Sequence, residues 1–169
     1  MMTRKLTTFL AAVLVLAVAG CAKMPLRADY VYETNPQIPV ADDSSAVIYF
    51  FRESAFVNGG LNYFINEDAN RIGLLKSGTY FVHKTTPSKH TYWVDVGDKV
   101  YTTLDIKAGQ TYYIDGGIDN HYTLFTNTSK PHFMEVTRPI AEKILPGLRY
   151  ARLSTEEEAA QIRAKEAWQ

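Results

Sequence analysis

His90-Thr91-Tyr92-Trp93-Val94-Asp95-Val96, then Gly97-Asp98, then Lys99-Val100-Tyr101-Thr102-Thr103-Leu104-Asp105-Ile106, is the stretch whose reading decides the fold. Side chains alternate across a strand. Tyr92, Val94 and Val96 therefore share one face of the first run, with Thr91, Trp93 and Asp95 opposite. Val100, Thr102, Leu104 and Ile106 share a face of the second, with Tyr101, Thr103 and Asp105 opposite. Gly97-Asp98 is a tight-turn pair. The two aliphatic faces should meet in a core, leaving a mixed aromatic and polar face around Trp93 and Tyr101.

The same grammar extends outward in both directions. Ala46-Val47-Ile48-Tyr49-Phe50-Phe51-Arg52 is a near-continuous apolar run, suited to a strand buried on both faces. Asn58-Gly59-Gly60 turns the chain into 61–66, and Glu67-Asp68-Ala69-Asn70 turns it again into a short strand at 72–75. Gly78 precedes 79–85, and Pro87 separates it from the quoted hairpin. Ala108-Gly109 leads into 111–115, which Gly116-Gly117 ends, and 122–126 and 133–136 complete the set. Strands recurring about every ten residues between Gly and Pro turns predict an all-β fold, an antiparallel β-sandwich or barrel.

Beyond Pro139 the period changes. Ile140, Ile144 and Leu148 stand at helical spacing, interrupted by Pro146-Gly147. Ser154 precedes Glu157 by three residues in a capping-box pattern, and residues 159–168 have no strand character. Glu156, Glu157 and Glu158 followed by Arg163 and Lys165 suit the dipole of a helix. A short helical extension over 138–169 follows from this.

The amino-terminal segment reads differently. Arg4 and Lys5 precede an 11-residue apolar run at 9–19, which as a helix spans ~17 Å against a hydrocarbon core of ~30 Å. It reads as a removable export signal over 1–20. Val18-Ala19-Gly20-Cys21 after such a run resembles the lipobox of bacterial lipoproteins. That resemblance implies a diacylglycerol on the Cys21 thiol, cleavage before it, and a further acyl chain such as palmitate on the freed amine. Ala22, in place of aspartate, resembles the class sorted to the outer membrane. Residues 21–45, with Pro25, Pro36 and Pro39 and no apolar periodicity, read as an acylated cysteine and extended tether; Tyr30 and Tyr32 pairing with a sheet edge is the alternative. Residues 46–137 form the domain.

Removing 20 of 169 residues leaves 149, one ordinary domain. The 18 basic and 18 acidic residues become 16 and 18, a formal −2, and no clustered basic field points to nucleic acid. Cys21 is the only cysteine, so no internal disulfide forms.

Few residues suggest catalysis. The histidines are 83, 90, 121 and 132, and none pairs at the i, i+4 spacing of a zinc helix. Asp115, Asp119 and His121, around Gly116-Gly117, are the best set of donors for a divalent cation such as calcium; a solvated hairpin tip is the plainer reading. Ser88 and His90 fall in a turn, which His90 should order by bonding backbone groups. Glu67 and Asp68 are adjacent and should project to different sides, poorly placed to flank one glycosidic bond. Arg52 and Glu53 suggest a structural ion pair. The stronger lead is an aromatic face: Trp93, Tyr101 and Tyr113 would form a binding strip if all three point outward, and become core if the segment 139–153 covers them.

The order of Ala46–Arg52, Ile72-Gly73, Gly78-Thr79-Tyr80-Phe81, Pro87, His90 and Ala108-Gly109-Gln110-Thr111-Tyr112-Tyr113-Ile114 resembles a family of Gram-negative lipoproteins called domain of unknown function 2846. The resemblance covers roughly residues 45–153. Ser88 departs from the family's usual glycine, and Asp68-Ala69-Asn70 from its Asp-Gly turn. It implies a small β-sandwich and an envelope address, and no agreed activity. The expectation is a non-enzymatic binding or structural module, lipid-anchored through Cys21 on the periplasmic face of the outer membrane. It needs no cofactor and engages an envelope protein or glycan. The alternative is a metal-assisted hydrolase acting on an envelope polymer.

Overall fold

The apolar run Ala46–Arg52 (β2) lies at the centre of the larger of two sheets. The computed structural model describes residues 25–124 and 126–168. β2 pairs antiparallel with Thr79–Thr85 (β5) on one side and parallel with Thr111–Asp115 (β8) on the other. All but Tyr49 of its residues are buried, because both faces are covered. Alternation splits them: Ala46, Ile48 and Phe50 face the second sheet, while Tyr49 and Phe51 face the other way.

The second sheet runs β4-β3-β6-β7, from Asn70–Leu75 (β4), Tyr63–Glu67 (β3), Lys89–Asp95 (β6) and Lys99–Asp105 (β7). β3 and β4 join through Asp68-Ala69, with Asp68 at φ 49°. The β6–β7 hairpin forms as its alternation predicts, with Trp93 opposite Tyr101 and Val94 opposite Val100. Tyr92, Val94 and Ile106 are buried against Ile48, Phe50, Phe81 and Ile114 of the first sheet, so the aliphatic faces do meet in the core. The Phe50 ring lies 5.1 Å from Phe81 and 5.2 Å from Tyr92, within the range where aromatic pairs add about 0.5–1.5 kcal/mol to area burial. The all-β sandwich is thus the observed architecture.

Four features depart from the sequence reading. The larger sheet, ordered Tyr30–Glu33 (β1), Arg149–Leu153 (β12), β5, β2, β8 and Met134–Glu135 (β11), is mixed, with β2–β8 and β12–β5 parallel. Its outer strands come from segments read as tether and helical extension: Tyr30–Glu33 (β1) pairs antiparallel with Arg149–Leu153 (β12). Tyr30 packs on Phe64 and Leu74, and the Arg152 side chain joins Glu33 to Glu158. The described part of 21–45 is therefore not a free tether from Arg27 to Glu33, and the boundaries at 46 and 137 cut through one sheet. In place of a strand at 122–126, Ile118–Tyr122 (β9) and Asn127–Pro131 (β10) form a separate hairpin. The Thr123 hydroxyl accepts Thr126 N–H at 2.9 Å in its turn, so the chain reverses just beyond Tyr122.

Met134–Glu135 (β11) closes the edge beside β8. Arg138–Ile144 (α1) then lies over the outer face of the large sheet, burying Ala141 against Phe51 and Tyr113. Glu156–Glu166 (α2) follows β12. Its capping box is Thr155 with Glu158, one residue beyond the expected Ser154 and Glu157: Glu158 N–H donates to Thr155 Oγ1 at 3.2 Å and Thr155 N–H to Glu158 Oε2 at 2.8 Å. Only Ala159 of α2 is buried. Among the described residues, no helix is long and apolar enough to cross a membrane.

Candidate functional site

The outer face of the small sheet carries the best-formed site. Odd positions of β6 point outward, so Trp93 and Asp95 share that face. Even positions of β3 do the same, and pairing sets Asn66 directly across from Trp93. Together with Arg71 of β4 and the preceding loop they line a groove of about 350 Å³, with Pro25 of the amino-terminal segment on its rim.

Each wall is held from behind. Trp93 Nε1–H donates to Asp68 C=O at 2.7 Å, and Asn66 Nδ2–H to Trp93 C=O at 3.2 Å. Lys99 Nζ sits 4.6 Å from the indole centroid, and the Tyr101 ring lies 6.4 Å away. Arg71 stacks its guanidinium on Phe64, 3.4 Å from the ring centroid. Asp95 Oδ1 accepts Gly97 N–H at 3.2 Å. Asn62 Oδ1 in the groove wall has no hydrogen-bond partner among the described residues.

Trp93 and Tyr101 thus share a face, and Tyr101 is 58% exposed. Tyr113 does not join them. It belongs to β8 of the other sheet, where its ring stacks on Tyr49 at 5.2 Å beneath α1. The carboxy-terminal segment covers Tyr113 and leaves Trp93 and Tyr101 open, so the three residues do not form one strip. Phe64, Asn66 and Arg71 reach the groove only through the pairing of β3 with β6, which the chain separates; the shared parity of Phe64 and Asn66 is the one local signal of it.

The carboxylates at the second candidate site meet a different histidine. His132 Nδ1 lies 3.0 Å from Asp119 and its Nε2 3.7 Å from Asp115. His121 is exposed on β9, opposite Thr128. The β9–β10 hairpin returns His132, not His121, to the carboxylates, which corrects the set Asp115, Asp119 and His121. Burial raises the Asp115 carboxyl above the ordinary aspartate range, opposed by His132. No group of three or more His, Cys, Asp or Glu side chains among the described residues is arranged to hold a metal ion.

A third cluster spans the two sheets. Glu67, at the end of β3, places Oε2 3.1 Å from His83 Nε2 and Oε1 2.8 Å from His90 Nδ1. His90 Nε2 also lies 2.8 Å from Thr86 C=O, ordering the turn as expected. The Asp68 backbone carbonyl serves Trp93. Burial lowers the His83 pKa below its ordinary 6.5, partly offset by Glu67. Burial raises the Tyr92 hydroxyl beside it far above its ordinary value, reinforced by the Glu67 charge. Arg52, expected to pair with Glu53, is 2% exposed and donates instead to Leu61 C=O and to Asn58 C=O, the latter at 2.8 Å. It ties down the 53–62 loop.

No family model, curated protein or solved structure matches this chain. The geometry of its own residues carries the functional reading.

Proposed function

We propose that the chain is an envelope lipoprotein, lipid-anchored through Cys21 at the outer membrane, that works without catalysis as a binding module. Its ligand site is the groove beside Trp93. The observation that carries this reading is the groove itself: an aromatic wall, paired amides and charged groups converge in one concavity of about 350 Å³. That is the small end of the ~300–1,000 Å³ range of ligand sites. The resemblance to the lipobox and to domain of unknown function 2846 supports the envelope address. Pro25 stands four positions after Cys21, which would hold the groove close to an acylated end. Two or more acyl chains give stable attachment where one is marginal.

In-cell photo-crosslinking tests the reading, with the photoreactive residue placed at Trp93, Tyr101 or Tyr113. One dominant glycan or protein adduct from positions 93 and 101, with none from the covered position 113, is the expected result. Equal yields from all three positions, or none from 93 and 101, would sink it.

A further inference from the structure

Resting on that reading, we infer that the groove takes a saccharide unit carrying an anionic substituent, a carboxylate or a phosphate. Three features of the groove meet in this ligand. The first is the indole of Trp93, pinned from behind by its bond to Asp68 C=O, a flat apolar surface on which the C–H face of a sugar ring can stack. The second is a set of unspent polar atoms. Asn62 Oδ1 lacks a partner among the described residues, and Asp95 commits Oδ1 to Gly97, which leaves its other oxygen for a hydroxyl donor.

The third feature sets the charge. Among the described residues, the Arg71 and Lys99 side chains make neither a hydrogen bond nor an ion pair; each is held only against an aromatic ring. Asp29, which borders a neighbouring groove with Arg71, accepts Leu26 N–H at 2.7 Å. Arg71 is therefore a cation of the groove lining with no anionic partner among the described residues, while Lys99 stands outside that lining against the indole of Trp93. A guanidinium is a planar fork that meets carboxylate or phosphate with two parallel hydrogen bonds. Stacking on Phe64 fixes the plane of that fork before any ligand arrives, which cuts the ordering cost of binding. The volume suits a small ligand and not a folded protein.

The test uses the full chain in detergent micelles, with glucuronic acid, glucose 6-phosphate and glucose as probes. Ligand-observed NMR and isothermal titration read the affinities. The two anionic sugars should bind at least tenfold more tightly than glucose. Arg71→Gln should bring them to the level of glucose, and Arg71→Lys should restore part of the difference. Trp93→Ala should weaken all three, each variant keeping the parent melting temperature. Equal affinity for glucose and glucuronic acid overturns the anionic assignment while the groove remains a binding site. Competition by inorganic phosphate as strong as that by glucose 6-phosphate overturns the saccharide. Absence of binding by all three probes overturns the inference entirely, and crosslinking from position 93 then decides separately whether the groove binds anything.

Discussion

Single residues in this fold divide into those that fill space and those that hold the backbone. Gly73 is of the first kind, because a Cβ there would overlap the Phe81 ring, itself packed on Phe50. Gly73→Ala should cost about 1–3 kcal/mol, the usual range for overpacking, read as a lowered urea midpoint. Gly109 is of the second kind: open space surrounds it, but its φ is +72°, and its N–H donates to Asp42 C=O and Ser45 C=O. Gly109→Ala should therefore cost about 1–2 kcal/mol through backbone strain alone, and an unchanged melting temperature would contradict that account. Arg52 belongs to both kinds. Arg52→Met keeps the bulk but leaves the carbonyls of Asn58 and Leu61 without their donor, so a loss of about 2–4 kcal/mol is expected. Proteolysis should then begin within 53–62.

Elements differ in how far their own sequence specifies them. The β6–β7 hairpin is legible because period-two alternation and a Gly97 turn agree locally. Helix α1 is legible as a helix from Ile140 and Ile144, but what it covers is not. Tyr49 and Tyr113 sit under it because β2 and β8, 64 positions apart at each paired residue from Val47↔Thr111 to Phe51↔Asp115, lie side by side. Ala141 is fully buried at that contact, and its small side chain lets the helix approach the rings. Ala141→Asp places a carboxylate against Phe51 and Tyr113 with no partner to repay its desolvation. The helix should detach, giving protease cleavage within 138–148 while the β6–β7 hairpin stays protected in hydrogen exchange; cleavage elsewhere first would argue against this contact.

For the whole molecule, the cluster of Glu67, His83 and His90 links the sheets and should set the acid limit of stability. Thr85 and Tyr92 also face it, and neither brings a positive charge. Burial holds the His83 pKa below 6.5 in the fold, so near and below that pH the unfolded chain binds more protons than the native one. Stability then rises with pH and is lost as pH falls through about 6.5. The urea midpoint should drop between pH 7.5 and 5.5, and the drop should shrink in His83→Gln. A midpoint indifferent to pH over this window would refute the linkage. The proposed lipid attachment is likewise tested on the whole molecule. Cys21→Ser removes the thiol that a diacylglycerol would take, so the variant should partition out of detergent-extracted membranes; undiminished membrane association would count against acylation there.

The central strands β2 to β8, their turn residues and the two-faced character of β6 and β7 were legible in the chain, because each depends on neighbours a few positions away. Alternation and Gly or Asn at turns act through local sterics and solvent, and no distant partner is needed to read them. The mixed order of the large sheet, the pairing of β1 with β12, and the groove were not. Asn66 meets Trp93, His132 meets Asp115, and Tyr113 disappears under α1 only once segments remote in sequence share a surface. Such contacts gain free energy by burying apolar area and pairing polar groups, and those gains exist only between elements already brought together.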